Sequence, residues 1–177
     1  MVKNKLPLLA AIMFLIFGCG MRVNIMGIDA AMVEKRHWGK TLSGALVSVA
    51  VHEASHYFVA AVKGRDINFR GTTFEYNDQD DLIDRSGFLA QTMAGLALNY
   101  IPATRESDFT LGWNTMATLQ LYTYPLRYKN DGDFSDIGHN EWAMFTTFSS
   151  YNTYSTVDNI NESYIKSRKR NLKTNYQ

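Results

Sequence analysis

The residues best suited to chemistry are His52-Glu53-Ala54-Ser55-His56, an H-E-x-x-H motif inside an apolar run. Residues four apart on a helix lie on one face, so His52 and His56 can offer two imidazole nitrogens to one ion. Zinc accepts such a pair and keeps room for a third protein ligand and a water. Glu53 follows at once, placed to take a proton from that water as general base. The plain alternative is a helix with two unrelated histidines and a chance glutamate. Three specified residues at fixed spacing favour the metal.

A helix over residues 41–62 must position them. Thr41 or Ser43 can cap its start, and Lys63-Gly64 supplies a cation and then a glycine just past its end. Its body, including Leu42, Leu46, Val47, Phe58, Val59 and Val62, is apolar nearly all round, which predicts burial in protein or in lipid. Burying two imidazoles and a carboxylate without partners is unfavourable, and a metal ion removes that objection.

The flanking stretches build the remainder. Residues 65–76 hold the strand formers Ile67, Phe69, Thr72, Thr73, Phe74 and Tyr76, with Gly71 as the turn of a small β-hairpin. Asp78, Asp80, Asp81 and Asp84 read as a solvated acidic loop, since their spacing fits no calcium-loop template. Residues 86–100 form a second apolar helix with the small residues Gly87, Ala90, Ala94, Gly95 and Ala97, ended by Pro102. Ser107-Asp108 caps a third helix that Pro125 stops. Thr115, Thr118, Gln120 and Thr123 make that helix polar and a poor membrane span. Asn130-Asp131-Gly132 is a turn, after which Asp133 or Ser135 caps a helix through Trp142 to about residue 148. A carboxylate at that helix start is well placed as the third metal ligand, with Asp136, His139 and Glu141 in reserve. Residues 149–177 are polar and then basic, with a short amphipathic helix near Val157, Ile160, Tyr164 and Ile165 and a frayed end.

The 177 residues suit one domain, and a net charge of +1 gives no reason to expect a nucleic-acid partner. A mean hydropathy of −0.22 argues against a chain lying mostly in a bilayer. Lys3 and Lys5 precede an apolar run over residues 6–17 and the sole cysteine, Cys19, which together read as an export signal. The run falls short of the ~20 residues of a membrane span. The organisation expected is therefore signal or anchor over residues 1–19, tether over 20–40, catalytic domain over 41–150 and tail over 151–177. The fold class is mainly α with a small β-hairpin (α+β).

Two resemblances sharpen this. Ile16-Phe17-Gly18-Cys19 resembles a bacterial lipobox, which implies that Cys19 becomes the lipidated first residue of a mature lipoprotein. Three further stretches, in order, resemble the site-2 protease family of membrane zinc metalloproteases. They are the motif His52 to His56 with Gly64 and a strand after it, then Ala94-Gly95-Leu96-Ala97-Leu98-Asn99, and then Asp131-Gly132-Asp133. Leu96 stands where that family usually has proline, and Ser55 where it often has glycine. The resemblance implies a zincin-like core with His52, His56 and an aspartate as zinc ligands. Asp133 is preferred as that aspartate, with Asp131 as runner-up. It also implies Glu53 as the base and Asn99 as a polar group near the cleft. The expected protein is a zinc-dependent metallopeptidase acting on a peptide or protein substrate, held in the cell envelope by lipid at Cys19. A non-catalytic envelope lipoprotein keeping the same scaffold is one alternative. An intramembrane protease of the site-2 type is another.

Overall fold

The structure, a computed structural model, describes residues 36–70, 73–76, 80–127 and 138–174. The chain divides into two units, Met1–Lys35 and Arg36–Gln177, and all of these residues belong to the second. Cys19, the signal over residues 1–19 and most of the expected tether lie outside the described residues. The elements in order are α1 (Trp38–Val62), β1 (Ile67–Arg70), β2 (Thr73–Tyr76), α2 (Asp81–Tyr100), α3 (Asp108–Arg127) and α4 (His139–Thr174). The protein is mainly helical, as expected. β1 and β2 pair antiparallel, with Ile67 opposite Tyr76 and Arg70 opposite Thr73.

The helix ends explain where the sequence boundaries slip. α1 starts at Trp38, and neither Thr41 nor Ser43 caps it. The first amide finds its acceptor on another helix instead: the His37 N–H donates to Asp108 Oδ2 at 3.0 Å, while Arg36 pairs with Oδ1 at 2.9 Å. Ser43 Oγ turns back to the Lys40 carbonyl at 2.8 Å. At the other end Gly64 adopts φ +67°, a conformation that favours glycine. The Gly64 amide donates to Ala61 O and the Arg65 amide to Ala60 O, the paired bonds of a Schellman stop.

α2 begins five residues before the expected position 86. Asp80 Oδ1 accepts from the Leu82 and Ile83 amides at 3.0 and 3.4 Å, and Asp81 and Asp84 favour the positive end of the helix dipole. Asp84, expected in a solvated loop, is buried. α3 is capped as expected, with Ser107 Oγ accepting from the Thr110 amide at 3.1 Å. It runs on through Pro125 to Arg127. Proline has no N–H, so the Leu121 carbonyl loses its partner four residues on, and the Trp142 indole of α4 donates to it at 3.0 Å.

The expected helix end near residue 148 is no end at all. α4 is one helix of 36 residues. Ser149, Asn152, Thr156 and Ile160 continue the three- and four-residue spacing of Phe145 and are buried, so the first part of the expected polar tail is packed.

Two inward ridges, each stepping by four residues, organise the first crossing. Gly44, Ser48, His52, His56 and Ala60 form one on α1; Ile83, Gly87, Gln91, Gly95 and Asn99 form the other on α2. α1 and α3 meet backbone to backbone, because a Cβ on Gly44 would overlap the Phe109 carbonyl and one on Gly112 the Thr41 carbonyl. Phe88, Leu121 and Phe145 make the apolar core, with Trp142 packed against it.

The large apolar residues of α1 mostly face out. Leu42 and Leu46 are 61% exposed, Phe58 67% and Val62 72%. Of the two settings expected for α1, protein covers only its narrow ridge of small and polar residues. The same inversion recurs on the other helices, where Thr110, Asn114, Asn152 and Thr156 are buried while Met93, Tyr122 and Tyr154 are exposed.

Candidate metal centre

His52 and His56 both lie on the inward ridge of α1, His52 fully buried and His56 nearly so. Each imidazole is held by its Nδ1. His52 Nδ1 lies 3.1 Å from Gln91 Oε1, and His56 Nδ1 lies 2.6 Å from the Ile83 carbonyl, with Ser86 Oγ at 3.4 Å. A carbonyl only accepts, so His56 Nδ1 carries the hydrogen. The orientation of the Gln91 amide follows from its other contacts. Its Nε2 donates to the Ser48 carbonyl at 3.0 Å and to Gln120 Oε1 at 2.6 Å, so its oxygen faces His52 and His52 Nδ1 is also the donor.

With Nδ1 the donor in each ring, Nε2 is the acceptor nitrogen of each, and the two Nε2 atoms converge to 3.1 Å. A tetrahedral zinc with Zn–N bonds of about 2.0–2.1 Å needs its nitrogens about 3.3 Å apart, close to the spacing found. Gly87 of α2 covers the same side. A Cβ there would overlap His56 Nε2 and stand 2.7 Å from His52 Nε2, so only a hydrogen atom fits over the pair. The anchored tautomers, the convergent Nε2 atoms and the lack of a side chain at Gly87 fit a divalent metal.

Surroundings divide between polar and apolar. Phe88 lays its ring edge-on to His52 at 4.6 Å, linking the pair to the apolar core. Glu53 is half-buried one position along α1. Among the described residues no third His, Cys, Asp or Glu joins the histidines. Asp131, Asp133 and Asp136 lie outside the described residues. His139 is exposed at the start of α4, and Glu141 pairs with Arg85 at 3.0 Å.

Asn99 is not beside the histidines. It sits twelve residues beyond Gly87 on α2, about 18 Å along the axis. There its Nδ2 donates to the Asn152 carbonyl at 2.9 Å and its Oδ1 accepts from Thr156 Oγ1 at 2.7 Å. Asn114 Nδ2 also donates to Thr156 Oγ1 at 2.9 Å. The expected cleft residue is thus a member of a buried polar layer joining α2, α3 and α4.

The groups that hold the histidines, Ser48, Gln91 and Gly87, were missed by the motif reading. A signal existed, because Ser48 lies four residues before His52, while Gly87 and Gln91 share the four-residue ladder of α2. No protein-family model, curated protein or solved structure matches the chain.

Proposed function

We propose that the protein is a zinc-dependent metallopeptidase whose site lies inside a membrane-embedded helix bundle. One observation carries the metal: two buried histidines, each anchored through Nδ1, turn their Nε2 atoms to one point under Gly87. His52 and His56 would hold the ion, with Asp133 as the third ligand and Asp131 as runner-up. When bound, zinc supplies Lewis acidity to the scissile carbonyl. Glu53 takes the proton of the attacking water and delivers it to the leaving amine. Phe88 and the helix backbones keep bulk water from the imidazoles.

Zinc content of the purified chain tests the reading, with wild type beside His52→Ala, Asp133→Ala and Asp131→Ala. Near-stoichiometric zinc that is lost in His52→Ala and in one aspartate variant is expected. Absence of zinc from reconstituted wild type would overturn the proposal. Glu53→Gln should keep the metal and abolish peptide hydrolysis; retained turnover would remove Glu53 as the base.

The membrane half of the proposal is supported by the inverted helices. α1 is long and apolar enough to cross a bilayer, and only 28% of its apolar window is buried inside the protein. Residues 41–62 would extend about 33 Å against a hydrocarbon core of ~30 Å. Trp38 and Lys40 stand at one end, and Lys63 and Arg65 at the other. A Cys19→Ser chain should stay in membranes through alkaline carbonate and leave only in detergent. Release by carbonate would leave lipid at Cys19 as the anchor and the bundle outside the bilayer.

A second reading has one observation in its favour, the lack of a third ligand among the described residues. It is a non-catalytic scaffold in which the histidine pair serves only to fix the helices. Zinc bound without any hydrolase activity would favour it.

A further inference from the structure

Building on the metal reading, we infer that Gln91 is the positioning residue of the centre: it fixes His52 in the Nδ1–H tautomer and ties that setting to α3 through Gln120. The amide is 1% exposed and each of its side-chain atoms is engaged. Oε1 accepts from His52 Nδ1 at 3.1 Å, while Nε2 reaches the Ser48 carbonyl and Ser48 Oγ at 3.0 Å each and Gln120 Oε1 at 2.6 Å. Its backbone is held too, since the Trp113 indole donates to the Gln91 carbonyl at 3.0 Å.

The logic is one of forced orientation. Turning the amide over would set its oxygen against the Ser48 carbonyl, an acceptor facing an acceptor, so the oxygen stays on His52. That oxygen obliges Nδ1 to carry the hydrogen and makes Nε2 the acceptor nitrogen of the ring. His56 receives the same instruction from the main chain, through the Ile83 carbonyl. One ligand is therefore set by backbone, which no substitution removes, and the other by a single side chain that depends on a neighbour from a third helix. A partner on the far nitrogen of a ligating histidine is worth ~10–100-fold in metal affinity.

The test is a competition titration of Zn2+, repeated with Co2+, on the full chain as wild type, Gln91→Leu and Gln91→Glu. Gln91→Leu should bind ~10–100-fold more weakly. Gln91→Glu keeps an acceptor for Nδ1 but sets its second oxygen against the Ser48 carbonyl and Gln120 Oε1, so it should bind more tightly than Gln91→Leu without reaching wild type. Wild-type affinity in Gln91→Leu would overturn the inference while leaving the metal site intact. If Gln91→Leu fails to fold, Gln91→Met decides, and a folded Gln91→Met with wild-type affinity overturns it. A wild type that takes up neither ion would instead sink the metal reading itself.

Discussion

Two buried polar regions of the bundle are made from similar materials and reach opposite outcomes. In the layer around Asn99, Asn114, Asn152 and Thr156, donors meet acceptors: amide hydrogens reach a hydroxyl or a carbonyl, and the Thr156 hydroxyl reaches an amide oxygen. That layer is largely complete within the chain, with Asn152 Oδ1 its one side-chain atom lacking a partner among the described residues. At the histidine pair the donors are all turned outward, to Gln91 and Ile83, and two acceptors are turned inward on each other. Complementary pairing locks helices together. The contrast sets a polar layer paired within the chain beside the histidine pair proposed to hold an ion.

The sharpest way to break the contrast is Gly87→Ala. Its methyl group would occupy the space over the Nε2 atoms, so zinc should fall from near-stoichiometric to undetectable by metal analysis. Denaturant unfolding should show a loss of about 1–3 kcal/mol from overpacking. Undiminished zinc in that variant would separate Gly87 from the centre.

The converse change is Asn99→Leu. It removes two bonds of the layer, although the Thr156 hydroxyl still reaches the Asn152 carbonyl at 2.9 Å, so stability should fall by about 1 kcal/mol, with zinc content unaltered. Loss of zinc there would show the two regions to be coupled, as the family resemblance first implied for Asn99.

The smallest effect is expected at the joint between α1 and α2. The Lys63 ammonium, with help from the Leu82 and Ile83 amides, holds the Asp80 carboxyl below its ordinary value. A carboxyl lowered in the folded state adds stability above the usual carboxylate range, and that stability is lost as pH falls through the lowered value. Asp80→Asn should therefore melt below wild type at neutral pH, with the gap closing on acidification. A gap that persists in acid would assign the difference to capping geometry rather than charge.

The placement of the two histidines was legible in the motif alone. The four-residue spacing of His52 and His56 put both on one face, and that face is the buried one. What the motif could not supply was the setting of the rings, because Gln91 and Ile83 lie on another helix. Which side of α1 would face outward was not legible for a different reason. Hydropathy is an average over residues, whereas burial is a property of faces. Of the polar residues of α3 counted against a membrane, Thr115 and Thr123 are exposed and Thr118 and Gln120 half-buried, while Leu42, Leu46 and Phe58 of α1 point out. Helix α4 was cut short because Ser149, Asn152 and Thr156 look like loop composition until they are placed on a wheel with Phe145 and Ile160.

The indole bond from Trp142 to the Leu121 carbonyl has a bearing on the order of assembly. Pro125 leaves α3 one internal bond short in its last turns, so that segment is weakened while it stands alone. Docking of α4 restores the missing donor from outside. The final stretch of α3 and the first turn of α4 thus mature together, as one cooperative unit, and amide exchange near Leu121 would report the arrival of α4 rather than the formation of α3.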